Sequence, residues 1–433
     1  MTPEIKKRIE QIRRGEVPEG YKKTKTGIVP VEWEEKRIGD VLKQRKTLMC
    51  ISEDAPLLSF TIEEGVINPD DKKSNKRDFL IKDMATKKFA LTEVGDIIYN
   101  PANLKFGAIH RNDLCRGVVS PIYGIFYGEQ DSVFMGYLLH NQRFIDYAKI
   151  YTEGTVEKLK TLKADTFLKL KITLPPITEQ RKISQILLTQ DRIIELYQKK
   201  IYELQKLKKA VMRQIFPKNK KTTPQLRFYQ FDNNWKQHKL IDLLSQPVSD
   251  GPHETPILVD EGIPFISVEA ITDNKIDFDK KRGYITEEYD LKCRKKYAPQ
   301  KDDVYLVKSG STVGKVAIAN TDIRFNIWSP LAAMRTNKKV LLPKYLFYFL
   351  QSKEMQEEIY EKSIGGTQPN LSMRVLENFI IKIPCINEQK SIVDALESID
   401  NLINLQQKKL KETEKCKNSC MQLLLTGIVR ANL

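Results

Sequence analysis

"LPPITEQRKI" occupies residues 174–183 and "IPCINEQKSI" residues 383–392. The match extends without a gap from 174–216 onto 383–425, with about sixteen identities in roughly 43 positions, far above chance. Shared residues include Pro175/Pro384, Glu179/Glu388, Gln180/Gln389, Asp191/Asp400, Ile194/Ile403 and Met212/Met421. Each copy opens with a short apolar run closed by proline, which reads as a strand. Thr178 and Asn387 then stand where an N-cap oxygen is wanted, and Glu179 and Glu388 put an acid at the positive end of the helix dipole. Two helices therefore start at matched places.

Both helices are long. Ile194, Tyr197, Ile201, Leu204, Val211 and Ile215 follow a spacing of threes and fours for about three heptads, broken by Lys208. The second copy keeps Ile403, Leu410, Cys420 and Leu424 but places Gln406, Thr413 and Lys417 on the same seam, a poorer register. Pro217 stops the first helix and Gly427 the second. The expectation is an antiparallel coiled coil made from both. At about 1.5 Å per residue, a first helix over 178–216 would be roughly 57 Å long.

An earlier half of the repeat surrounds Trp33 ("WEEKRIGDVL") and Trp235 ("WKQHKLIDLL"). Between each tryptophan and its helix lie strand-like segments such as "GDIIYNP" and "DDVYLVKSG", and there the two halves diverge. The fold class is α+β: two αβ globules separated by two long helices, with an internal pseudo-twofold duplication. The boundaries read as an N-terminal basic segment (1–30), a first globule (31–174), a central helix (175–216), a linker and second globule (217–382) and a C-terminal helix (383–433).

Composition fits a globular protein, with 41% hydrophobic and 30% charged residues. A net charge of +16, spread along the chain, suggests basic surfaces that meet a polyanion. No apolar stretch reaches the roughly twenty residues needed to span a bilayer, and the charged N-terminus is no secretory signal, so a cytoplasmic protein without membrane contact is expected. The six cysteines lack metal-ligand spacing, and neither zinc nor disulfides are expected.

Two stretches imitate catalytic motifs. "YNPAN" (99–103) resembles the Asn-Pro-Pro-aromatic loop with which amino-methyltransferases grip a flipped adenine, but Ala102 and Asn103 replace the defining residues. "GSTVGKV" (310–316) resembles a phosphate-binding loop one residue short, with Val316 where a magnesium-binding hydroxyl belongs. It suits a loop presenting Lys308, Ser309, Ser311, Thr312 and Lys315 to DNA phosphate. Further DNA-contact candidates are Lys72, Lys73, Lys76 and Arg77 in a charge run, Asn103 and Lys105, and His253 in "DGPHETP". Gln368 and Asn370 in "GGTQPNLS" could pair with adenine edges or satisfy turn backbone.

The ordered set of motifs resembles the specificity subunit of type I restriction–modification systems. It comprises the two P-x-I-x-E-Q-x-x-I helix starts, "PQLRFYQFDNNW" (224–235), "DGPHETP" (250–256) and "GGTQPNLS" (365–372), and covers essentially the whole chain. The resemblance implies two target recognition domains reading a split, double-stranded DNA sequence, with the long helices as spacer and docking site. It also implies a non-catalytic chain with no cofactor of its own. Two modification (methyltransferase) subunits would bring S-adenosylmethionine, and restriction (translocase/nuclease) subunits ATP and Mg²⁺. The competing classes are a self-contained DNA-modifying enzyme and a coiled-coil DNA-binding regulator. The broken motifs count against the first, and the absence of a helix-turn-helix or basic-zipper pattern counts against the second.

Overall fold

The computed structural model describes residues 2–71, 87–153, 160–218, 221–363 and 369–431. The chain divides into two compact units, Met1–Leu196 with Lys409–Leu433, and Tyr197–Lys408. Each long helix, Ile177–Ile215 and Ile386–Leu425, gives one end to each unit. Among the described residues no helix is long and apolar enough to cross a membrane.

In the first unit, strand Glu34–Arg37 pairs antiparallel with Lys171–Leu174, so the globule's beginning is tied to its end directly before the central helix. An antiparallel sheet runs in the order Ile109–Arg111, Ile97–Tyr99, Gly124–Gly128, Leu42–Gln44. Its second strand is buried on both faces, as its unbroken apolar run requires. Helices Ser132–His140 and Gln142–Lys149 follow.

The second unit repeats this plan. Strand Lys236–Lys239 pairs with Ile380–Ile383, and the sheet order is Val316–Ile318, Val304–Val307, Leu331–Met334, Ser249–Asp250. Helices Pro343–Leu350 and Lys353–Ser363 stand where the first unit has its helix pair. The units differ in their second sheets. That of the first unit is antiparallel throughout, whereas in the second Ile263–Ile266 pairs parallel with Asn326–Ile327.

The helix ends pack as the seam requires. In the first unit Ile183 and Leu187 share a core with Leu424 and Leu425; in the second Met212 and Ile215 share one with Ile392, Val393 and Leu396. Both helices begin two residues earlier than caps at Thr178 and Asn387 would place them. Thr178 and Asn387 sit inside the first turn and are not the caps, because the Pro176 carbonyl already accepts from Gln180 N and the Cys385 carbonyl from Gln389 N.

Along the seam Leu204, Ile215, Ile403 and Leu424 are buried, while Ile194, Tyr197, Ile201, Val211 and Leu410 are half-buried. The polar breaks have a structural use. Lys208 pairs with Asp400 at 2.6 Å and Lys417 with Asp191, the same contact once in each unit. Tyr348 donates to Asp400 at 2.7 Å and Tyr137 to Asp191, and each lysine also lies over its tyrosine ring. Burial, then the carboxylate hydrogen bond, pushes both phenols well above their ordinary pKa, so they remain donors at any physiological pH.

Candidate nucleic-acid interface

The repeated Glu-Gln pair organises each unit. Glu388 is buried; its carboxylate accepts from Trp235 Nε1 at 3.2 Å and from Arg227 Nε and Nη2 at 2.8 and 2.9 Å. Glu179 accepts from Trp33 Nε1 at 3.2 Å and from Arg430 Nε and Nη2, both at 2.8 Å. The arginine comes in each case from the segment following the other helix's C-terminal end. A buried carboxylate is stable only when paired and hydrogen-bonded, and a two-pronged guanidinium with an indole N–H meets that need.

Gln389 Oε1 accepts from Leu342 N at 2.9 Å, and its Nε2 donates to Val340 O. Gln180 Oε1 accepts from Asp131 N at 3.2 Å. Leu342 and Asp131 are the N-cap residues of equivalent helices, so the glutamine fixes the helix of the globule against the start of the long helix.

The two false catalytic motifs lie in equivalent loops of the two units. Residues 100–107 and 307–314 each link the two equivalent sheet strands. Asn100 N donates to Ala108 O at 2.9 Å and Val307 N to Lys315 O at 2.8 Å. Leu162 N donates to Pro101 O at 3.0 Å, as Leu371 N does to Lys308 O at 2.7 Å. Each loop closes on a glycine in the left-handed region, Gly107 at φ 90° and Gly314 at φ 95°, where a side chain would be strained. The ends of the two loops agree, while the middle differs, Asn103 at φ -114° standing where Gly310 is at φ 95°, and so do the exposed side chains, which is how a shared scaffold would present two different surfaces.

In the second unit three of the singled-out motifs converge. Ser309 bridges Asn370, Gly310 N donates to Pro369 O, and Ser329 N donates to Pro252 O. Beneath them lies Asp250, fully buried, facing Lys308 Nζ at 3.3 Å, His253 Nε2 at 3.2 Å and the Lys296 ammonium. Lys308, expected to meet phosphate, instead has a side chain only 11% exposed. A buried ammonium needs a counter-ion, and Asp250 takes up its charge from beneath the loop. Lys315 and Ser311 are exposed, Thr312 is half-exposed, and His253 has 71% of its side chain in solvent. Lys292 and Lys296, overlooked in the sequence, add exposed ammonium groups paired to Glu254 and Asp250.

In the first unit Asn103 and Lys105 lie in the 100–107 loop, Lys105 over the Phe106 ring at 5.2 Å. Each unit carries its own candidates. Lys72, Lys73, Lys76, Arg77 and Gln368 lie outside the described residues.

A family model described as "Type I restriction modification DNA specificity domain" matches residues 30–206 and again 232–415. The chain belongs to the type I DNA specificity family. Its two matches fall on the two halves of the duplication, so this specificity subunit carries two target recognition domains. It is 25% identical over 427 residues to the type I restriction enzyme MjaVIII specificity subunit of Methanocaldococcus jannaschii, covering 95% of this chain and 96% of that one. The EcoBI specificity subunit of Escherichia coli is 22% identical over 68% of this chain and 66% of its own. Among solved structures, the S subunit of a type I system from M. genitalium superposes with a TM-score of 0.53 at 14% identity, covering 90% of this chain and 96% of that one. A chain from a study of type I assembly and conformational transition gives 0.56 at 17% identity, covering 93% and 99%. These likenesses support the duplicated α+β fold seen in the specificity subunit.

Proposed function

We propose that the two units each read one half of a bipartite double-stranded DNA target for a cytoplasmic restriction–modification complex. The chain itself holds no cofactor. Methylation with S-adenosylmethionine belongs to two modification subunits, and ATP- and Mg²⁺-dependent cleavage to restriction subunits, all docked through the long helices. The observation that carries this reading is the pair of equivalent hairpins with matching ends and unlike exposed loops, one in each unit, each unit being joined to the start of a long helix by the same Trp–Glu–Arg junction. Asn103, Lys105, His253, Ser309, Thr312, Lys315 and Asn370 are proposed DNA contacts, with the net charge of +16 supplying the sequence-independent attraction.

The test is to express the chain with the methyltransferase encoded beside it and map the methylated adenines. A two-part motif with an unread gap is the expected result; a single continuous motif refutes the reading. Calorimetry on the purified chain alone should show no S-adenosylmethionine binding.

A further inference from the structure

The equivalence of the two hairpin loops allows their side chains to be compared position by position. Because Asn100 and Val307 hold the same place in the frame, as do Gly107 and Gly314, Phe106 corresponds to Val313. Val313 turns inward and packs on the core of the second unit. Phe106 turns outward and is 62% exposed. Its position is fixed: Leu104 beneath it is buried, Phe106 N donates to Asn103 O at 2.9 Å, and Gly107 N closes the turn on Leu104 O at 2.8 Å. A short helical turn thus presents an aromatic ring to solvent, with an ammonium over the ring and an asparagine amide at the start of the same turn. A lone exposed apolar residue needs no explanation by itself. Here an equivalent loop appears twice, and the counterpart, Val313, is half-buried against the core.

We propose that Phe106 is a specificity-determining residue of the first unit, making an apolar contact to a thymine methyl in the major groove, while the second unit's loop reads its half-site through Thr312, with Lys315 on the phosphate backbone. This rests on the DNA-reading function proposed above. A thymine methyl is the apolar feature that distinguishes an A·T pair in that groove, and an aromatic ring beside a cation can meet it while the ammonium faces phosphate. The loop of the second unit offers a hydroxyl and an ammonium instead, so the two units would have unlike preferences on equivalent loops.

The experiment compares wild type, Phe106→Ala, Phe106→Leu and the double variant Thr312→Ala/Lys315→Ala, each assembled with the methyltransferase subunit. Methylated sites are mapped and binding to the mapped duplex is measured. Phe106→Ala should relax one half-site and weaken binding to it about fivefold to tenfold, with the other half-site unchanged. Phe106→Leu should keep the preference. The double variant should affect only the opposite half-site. Replacing the critical thymine by deoxyuridine should weaken wild type severalfold and Phe106→Ala not at all. The inference is overturned if Phe106→Ala leaves both half-sites intact, if both variants act on the same half-site, or if the deoxyuridine effect survives in Phe106→Ala. A wild-type complex that modifies no bipartite sequence would instead overturn the underlying reading, and the inference with it.

Discussion

Replacing Glu388 with alanine removes the acceptor for three hydrogen bonds, one from Trp235 and two from Arg227. Arg227 then keeps its Nη2 hydrogen bond to the Asn233 carbonyl and the attraction of Asp232, but loses its two-pronged partner. The Arg227 side chain is only 15% exposed, so its charge is left largely dehydrated and without that partner. Breaking such a pair from one side costs about 3–5 kcal/mol. For a unit of this size each kcal/mol corresponds to roughly 2–4 °C, so the melting temperature should fall by about 6–20 °C. The loss should be local: hydrogen exchange followed by mass spectrometry should show lowered protection in Val304–Val307 and Ile380–Ile383, with Ile97–Tyr99 unaffected. Glu179→Ala should reverse that pattern, because Arg430 and Trp33 make the same junction in the first unit. In the double variant Arg227→Ala/Glu388→Ala, the combined cost should fall short of the sum of the single costs by about 1–3 kcal/mol. A loss under about 1 kcal/mol, or equal loss of protection in both units, would refute the claim that this carboxylate is the keystone of its own unit.

Other expectations follow from the same geometry. Lys208→Met and Lys417→Met should destabilise by similar amounts, about 1–2 kcal/mol each in urea titrations, since both leave a partly buried aspartate with only its tyrosine donor. Burial, reinforced by the neighbouring His140, lowers the His110 pKa to about 4 from an ordinary 6.5. The unfolded chain therefore binds the proton first, and stability present above pH 6.5 is lost as the pH falls toward 4. The loss should reach about 2 kcal/mol by pH 5, and His110→Asn should flatten that part of the profile. Lys315→Gln should reduce the slope of log affinity against log salt by about 0.9 without changing the preferred sequence. Lys308→Gln should lower stability instead, because it removes a counter-charge from buried Asp250; a change in salt slope with unchanged stability would show that Lys308 does reach DNA.

The sequence by itself determined the duplication, the two long helices and the strand before each, because these follow from local patterns: periodic apolar residues, a proline stop, an acid in the first turn. It also determined which positions of the two helices are equivalent, and hence that Lys208 and Lys417 share one seam position. What those lysines were for, only the tertiary structure decided. In each unit the opposing helix brings up an aspartate from about two hundred positions away, Asp400 to Lys208 and Asp191 to Lys417, and no local pattern records such a meeting. The same holds for Arg227 and Arg430, which lie in dissimilar segments and become equivalent only when each reaches the other helix's glutamate. The loops at 100–107 and 307–314 looked like two unrelated broken motifs because their side chains differ. Their equivalence lies in backbone hydrogen bonds and a left-handed glycine, which constrain conformation while leaving most residue types open. The pairing of Lys308 was hidden for a related reason: a lysine in a polar loop looks solvated until the fold places a buried carboxylate beneath it, and the pairing of charges out of water is settled by packing, not by sequence neighbours.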